Sequence, residues 1–127
     1  MERISSWAPW EQKVGYSRAV VKNGMVFISA IIATGSDGKI VGVGGVYTQV
    51  KTIFETIAGV LLEAGASFHD VVHSPLYLTD IALFEDAVRA HGEVFGDIRP
   101  AFTLLHVNFF VNPDMLAEID IMAIKDK

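Results

Sequence analysis

Apolar residues recur along this chain in two rhythms. Residues 14–22 and 25–32 are rich in β-branched and aromatic side chains, and Asn23-Gly24 stands between them. That dipeptide tolerates the positive φ angles of a tight type I′ turn, so the two runs predict a hairpin. Alternation puts Tyr16, Arg18 and Val20 on one face of its first strand, with Ser17 and Ala19 on the other. Residues 47–64 change to the helical period: Val50, Ile53, Phe54, Ile57, Val60 and Leu61 form a stripe, and Lys51, Glu55 and Glu63 lie off it. Gly65 supplies the stop. Residues 71–78 predict another strand, in which Ser74-Pro75 marks an edge or a bulge. Asp80 then caps a second helix over 81–95, with Phe84, Val88, His91 and Phe95 as its stripe.

The last quarter reads as two more strands, 102–110 and 116–124, parted by the turn formers Asn112, Pro113 and Asp114. The final strand alternates cleanly. Ala117, Ile119, Ile121 and Ala123 make an apolar face, and Leu116, Glu118, Asp120 and Met122 make the other. Two carboxylates inside a strand are unusual, because acids are poor strand formers. The pattern alone leaves Glu118 and Asp120 facing solvent or pairing with arginine across a subunit contact. The element order is ββαβαββ, a single α+β domain over residues 1–127 with two helices on one face of a mixed sheet. Residues 1–13 read as an irregular arm pinned to the body by Trp7 and Trp10.

Hydrophobic residues make up 51% of the 127, a high share for a small domain. Partner subunits are one way to cover the excess. A net charge of −5 argues against a groove built on phosphate neutralisation, and so against nucleic acid. There is no cysteine, hence no disulfide, thiol nucleophile or thiolate metal site. The start lacks the apolar stretch of a secretory signal and no run could span a bilayer, so a cytoplasmic location is expected.

Candidate chemistry is sparse. His69, His73, His91 and His106 form no helical metal pair, and no metal or other cofactor is expected. His91 reads as a hydrogen-bonded core residue. His106, on a face with Phe102, Leu104 and Asn108, reads as packing or as a ligand contact. The GVGG stretch at 42–45 lacks the spacing and context of a dinucleotide fingerprint. No nucleophile elbow is present.

Several segments, taken together, resemble the RidA/YjgF family of reactive-intermediate deaminases, also called endoribonuclease L-PSP proteins. They are VFISA at 26–30, LLEAGASFHDVV at 61–72, YLTDIALFEDA at 77–87, RPAFTLLHV at 99–107 and LAEIDIMAI at 116–124. The resemblance implies a chorismate-mutase-like fold and a homotrimer with clefts between subunits. It implies hydrolysis of small enamines or imines to 2-oxo acids and ammonia. By this resemblance Glu118 matches the glutamate that positions water, and Tyr16 matches the tyrosine of the cleft. Ser29 matches the serine of a Ser-Gly pair whose glycine is Ala30 here. The family's Pro-Ala-Arg-Ser motif reads Pro100-Ala101-Phe102-Thr103, so Phe102 replaces the arginine that holds the substrate carboxylate.

Arginine grips a carboxylate with two parallel charge-assisted hydrogen bonds, which phenylalanine cannot make. Losing such a contact costs about 2–5 kcal/mol, or roughly 30-fold to several-thousand-fold in affinity. Arg18, on Tyr16's face, is the candidate replacement; the competing reading pairs it with Glu118 or Asp120 across the trimer contact. Arg99 is the second candidate. Phe102 and Leu104 would then form an apolar wall. Three functions follow: a divergent deaminase-like hydrolase of small imines, enamines or related carbonyl compounds; a non-catalytic binder of a small carboxylate or carbonyl metabolite; and an endoribonuclease, suggested by the family's second name alone and opposed by the acidic charge.

Overall fold

The computed structural model describes residues 1–126. Strands β1 (Glu2–Ile4), β2 (Ala19–Lys22), β3 (Met25–Ile31), β4 (Val71–Leu78), β5 (Ala101–His106) and β6 (Ala117–Ile124) form one sheet in the order β1-β2-β3-β6-β4-β5. Every neighbouring pair is antiparallel except β4 and β5. Helices α2 (Val46–Glu63) and α3 (Phe84–Phe95) are the crossovers from β3 to β4 and from β4 to β5. Both crossovers join parallel strands and advance toward the same edge. The right-handed rule for such units therefore puts both helices on one face. They pack on each other, and α2 rests on β3 and β6.

The core fills the space under the helices. Val50, Ile53, Phe54, Ile57 and Leu61 of α2 meet Leu76 and Leu78 of β4 and Ile119 and Ile121 of β6. The α2 stripe is thus the expected one, with Val60 at its margin. Gly65 ends the helix in the left-handed region (φ 79°). Its N–H reaches the Leu62 carbonyl and the Ala66 N–H the Leu61 carbonyl, the paired bonds of a Schellman cap. Asn23 and Gly24 both take positive φ, as the hairpin requires.

Four expectations are corrected. First, the arm expected to be irregular over residues 1–13 contains a short helix, α1 (Pro9–Val14), and the strand expected from Val14 begins only at Ala19, as β2. Pro9 at the helix start and left-handed Gly15 just past its end are the punctuation that outweighs the β-rich composition. The arm before it also adds β1 to the sheet edge. Second, α3 buries Ala87, Ala90, His91 and Phe95, while Phe84 is exposed; small alanines form the contact stripe. A 3-10 turn at Ile81–Leu83, capped by Asp80, precedes the helix. Third, β5 ends at His106 instead of continuing to 110, because its neighbour in the sheet, β4, stops at Leu78. Fourth, Ser74-Pro75 is not at an edge. β4 lies between β6 and β5, and its one register irregularity against β6 falls between Val71 and His73, just before Ser74-Pro75, where the pairing is regular; neither the edge nor a bulge at the dipeptide itself is found.

The second face of the sheet carries no helix. Phe27, Met122, Leu105 and Ile124 lie on it, and Phe27, Leu105 and Ile124 are exposed.

Candidate functional site

Glu118 stands on that uncovered face near the start of β6, directly across from Tyr77 of β4. Its backbone neighbours Ala117 and Ile119 are fully buried on the helix side, so the alternation read in the sequence fixes the carboxylate's direction. On the other flank of β6, Ile28 pairs with Ile121 but Ile31 pairs with Ile119. Ser29 and Ala30 therefore stand together opposite the single residue Asp120, which makes a β-bulge.

The bulge turns two carbonyls toward β2's approach. The Arg18 guanidinium donates from Nη1 to the carbonyls of Ser29 and Ala30, both at 3.1 Å. Ser29 closes the contact: its hydroxyl donates to the Ser17 carbonyl at 2.7 Å and its N–H to the Arg18 carbonyl at 2.9 Å. The guanidinium carbon lies 5.9 Å from the Tyr16 ring centroid. Arg18 enters none of the ion pairs among the described residues, which are Lys51–Glu93, Arg89–Asp86 and Arg89–Glu93. Within one chain it therefore pairs with neither Glu118 nor Asp120.

The electrostatics of the patch pull in two directions. Burial raises the Glu118 carboxyl above its usual range, the neighbouring Asp120 raises it further, and Arg18 works against both. Tyr77 is pushed up to about 12, by burial first and then by the Asp120 and Glu118 carboxylates. The patch thus holds a carboxyl whose proton is retained longer than usual, next to a phenol that stays protonated. Such a carboxyl suits proton exchange with water nearer neutrality.

Glu11 frames the approach to Tyr16. It is buried although charged, and it receives the Ser5 hydroxyl at 3.0 Å, the Ser6 N–H at 2.8 Å and the Ser6 hydroxyl. Its carbonyl accepts the N–H groups of Gly15 and Tyr16, each at 2.9 Å. Burial favours a raised carboxyl here, but the Ser6 and Ser5 hydrogen bonds and the Arg18 charge outweigh it and hold the group below its usual value.

Tyr16, Arg18, Ser29, Ala30 and Glu118 are thus gathered on or beside one region of one chain. Phe102 and Leu104 are not. Their β4 partners are Ser74 and Leu76, both on the helix side. Phe102 stacks edge-on against His91 with centroids 4.7 Å apart, and Leu104 packs against the core. Within a single copy they form no wall beside Glu118. Arg99 sits before β5 in the left-handed region (φ 57°) at a groove shared with His91 and Phe102. His91 is the core histidine expected, bonded to buried Ser74 at 2.9 Å and held down to about 4 by burial. His106 is exposed and touches the Thr79 carbonyl at 3.1 Å.

Two contributors escaped sequence reasoning. Tyr77 meets Glu118 only through the β4–β6 pairing, which joins strands about forty residues apart and leaves no local signal. Gln49, fully buried on α2, donates to the carbonyls of Gly42 (3.2 Å) and Asp114 (2.8 Å) and accepts the Leu116 N–H (2.9 Å). A polar residue interrupting the apolar stripe was its only trace. Among the described residues no group of three or more histidine or acidic side chains gathers as metal ligands would, and no helix is long and apolar enough to cross a membrane.

Comparison with known proteins agrees with this layout. The family model described as endoribonuclease L-PSP matches residues 8–125. The 3-aminoacrylate deaminase RutC of Acinetobacter baylyi is 32% identical over 104 residues, covering 82% of each chain. A RutC family protein of Aquifex aeolicus is 34% identical over 114 residues, 87% of this chain and 88% of that one. The crystal structure of a Mycobacterium tuberculosis member of the YjgF/YER057c/UK114 family superposes with a TM-score of 0.87, at 31% identity and 98% coverage of both chains. With a family match over nearly its whole length and the same fold, this chain belongs to the RidA/YjgF family, the endoribonuclease L-PSP proteins.

Proposed function

We propose that the protein is a divergent deaminase-like hydrolase of small imines, enamines or related carbonyl compounds, working in clefts between the copies of a homotrimer. The observation that carries this reading is the half-buried Glu118 carboxyl, raised above its usual range and within the field of Arg18. Tyr16, Ser29 and Ala30 surround the same guanidinium. In this reading the Glu118 carboxylate takes a proton from water as the water oxygen bonds to the imine carbon, and passes that proton to the nitrogen. Glu118 then takes the proton of the new hydroxyl and delivers it to the amine, the carbon–oxygen double bond forms as the carbon–nitrogen bond breaks, ammonia leaves and the 2-oxo acid remains. Tyr16 and Arg18 hold the substrate. Phe102 and Leu104 of a neighbouring copy close the cleft, since the same chain's pair faces away. The deaminase named among the relatives favours this chemistry.

The second reading, a metabolite binder without turnover, is favoured by Phe102 in place of the carboxylate-gripping arginine. A coupled assay that generates 2-aminoacrylate in situ separates them. Faster pyruvate release with the protein supports hydrolysis. No acceleration, with a carboxylate still bound beside Glu118, supports the binder. Light scattering checks the assembly: a mass of three chains is expected, and a stable monomer would remove the cleft.

A further inference from the structure

We propose that the groove between α3 and the first residues of β5 takes the aromatic side chain of a carboxylate ligand, with Arg99 at its rim as the charge partner. The groove is open to solvent on one side and offers about 250 Å³. An apolar cavity of about 150 Å³ accommodates a benzene ring. One ring with a short acid chain therefore fits.

The lining is aromatic and apolar. Phe95, Phe102, Val88 and Pro100 line it. These rings are the outer end of an edge-to-face series. Phe54 meets Phe95 at 5.3 Å and 85°, and His91 meets Phe102 at 4.7 Å and 62°. Phe102 ends the series with 42% of its surface exposed, so a ligand ring extends an arrangement already built.

Two polar features give the ligand its other end. His91 commits Nε2 to Ser74, yet no buried side-chain nitrogen or oxygen among the described residues lacks a partner. Its second ring nitrogen therefore meets solvent, and His91 lines the groove. Arg99 is fixed there by its own N–H, which donates to the Phe95 carbonyl at 2.8 Å in a left-handed conformation. It enters none of the ion pairs among the described residues, and no carboxylate lines this groove. An arginine in none of these ion pairs, lining the same groove as two phenylalanine rings, suits an aromatic monocarboxylate.

The consequence for substrate class rests on the hydrolase reading, in which Phe102 of one copy faces Glu118 of the next. Imines of 2-oxo acids with aromatic side chains are then preferred over those with a methyl group.

Binding and turnover are tested separately. In NMR titrations of the whole protein, phenylpyruvate should bind about tenfold or more tightly than pyruvate, with shifts centred on Gly92 and Gly96. Arg99→Gln should weaken phenylpyruvate several-fold and leave benzyl alcohol unchanged, and Val88→Phe should weaken both. Equal affinity for the two acids, or shifts that avoid the groove, would overturn the proposal. For turnover, an amino-acid oxidase supplies imines from phenylalanine and alanine. Groove binding without faster hydrolysis of either imine would sink the hydrolase reading and leave the pocket standing. Faster hydrolysis of the alanine-derived imine would do the reverse.

Discussion

Gln49 and Leu116 are joined by a hydrogen bond of 2.9 Å that spans 67 residues of sequence. The same amide donates to Asp114 and to Gly42, so one buried side chain of α2 sets where the chain enters β6. Glu118 follows two residues later, and its register depends on that entry.

Replacing Gln49 with leucine would keep the volume and strand two backbone groups, the Asp114 carbonyl and the Leu116 N–H, while the Gly42 carbonyl keeps the Gly45 N–H at 2.8 Å. An unsatisfied buried donor or acceptor costs about 1–3 kcal/mol. Solvent reaching the loops recovers part of that, so a loss of about 2–4 kcal/mol is expected, a drop in Tm of roughly 10 °C. Thermal melts at matched protein concentration read it. A loss under about 0.5 kcal/mol would mean that the two loops hold themselves.

Glu118 should titrate above a normal glutamate, and its neighbours should move it in opposite directions. Asp120→Asn removes a negative charge and lowers the Glu118 value. Arg18→Ala removes a positive charge and raises it. If the carboxylate form is the base, the acid limb of the pH–rate profile shifts down in the first variant and up in the second. Carbon-13 NMR of labelled glutamate measures the same shifts without turnover. Displacement in the same direction would show that the two groups do not act on Glu118 by charge.

Glu11 gives the converse pH signature. Its folded value lies below the unfolded one, so its contribution to stability is complete above the ordinary carboxylate range. That contribution is lost as pH falls through the folded value. Glu11→Gln should therefore narrow its stability gap from the wild type as the pH drops from about 6 to 3. Urea unfolding across that range tests it, and a gap independent of pH would exclude a role for the charge.

Phe102→Arg restores the charge missing from the motif. If the cleft lacks only that grip, affinity for small 2-oxo acids should rise by roughly 30-fold or more. Calorimetry with pyruvate would read the gain. No gain would indicate that Arg18 or Arg99 already occupies the carboxylate's place.

Most of the fold is legible in local pattern. The α2 stripe, the Asn23-Gly24 hairpin and the alternation of β6 each rest on residues within a few positions of one another. So does the direction of Glu118, because alternation is strict inside a paired strand. What escaped depends on distant pairing. The sheet order that puts Tyr77 across from Glu118, and the termination of β5 where β4 runs out, are set by partners far along the chain. The side of β5 that Phe102 occupies follows from its register with Ser74, which no motif displays. The start of β2 is a different case: Pro9 and Gly15 punctuate a helix within the sequence itself, and this punctuation prevails over the β-rich composition around Val14.

The most direct test of Glu118 as the water-orienting group is pyruvate release from 2-aminoacrylate generated in situ, measured with wild-type protein and with Glu118→Gln at equal concentration. Loss of a positioned general base costs about 10²–10⁴-fold, so the wild type should accelerate release and the variant should fall to near the uncatalysed rate. Equal acceleration by the two proteins would contradict that role.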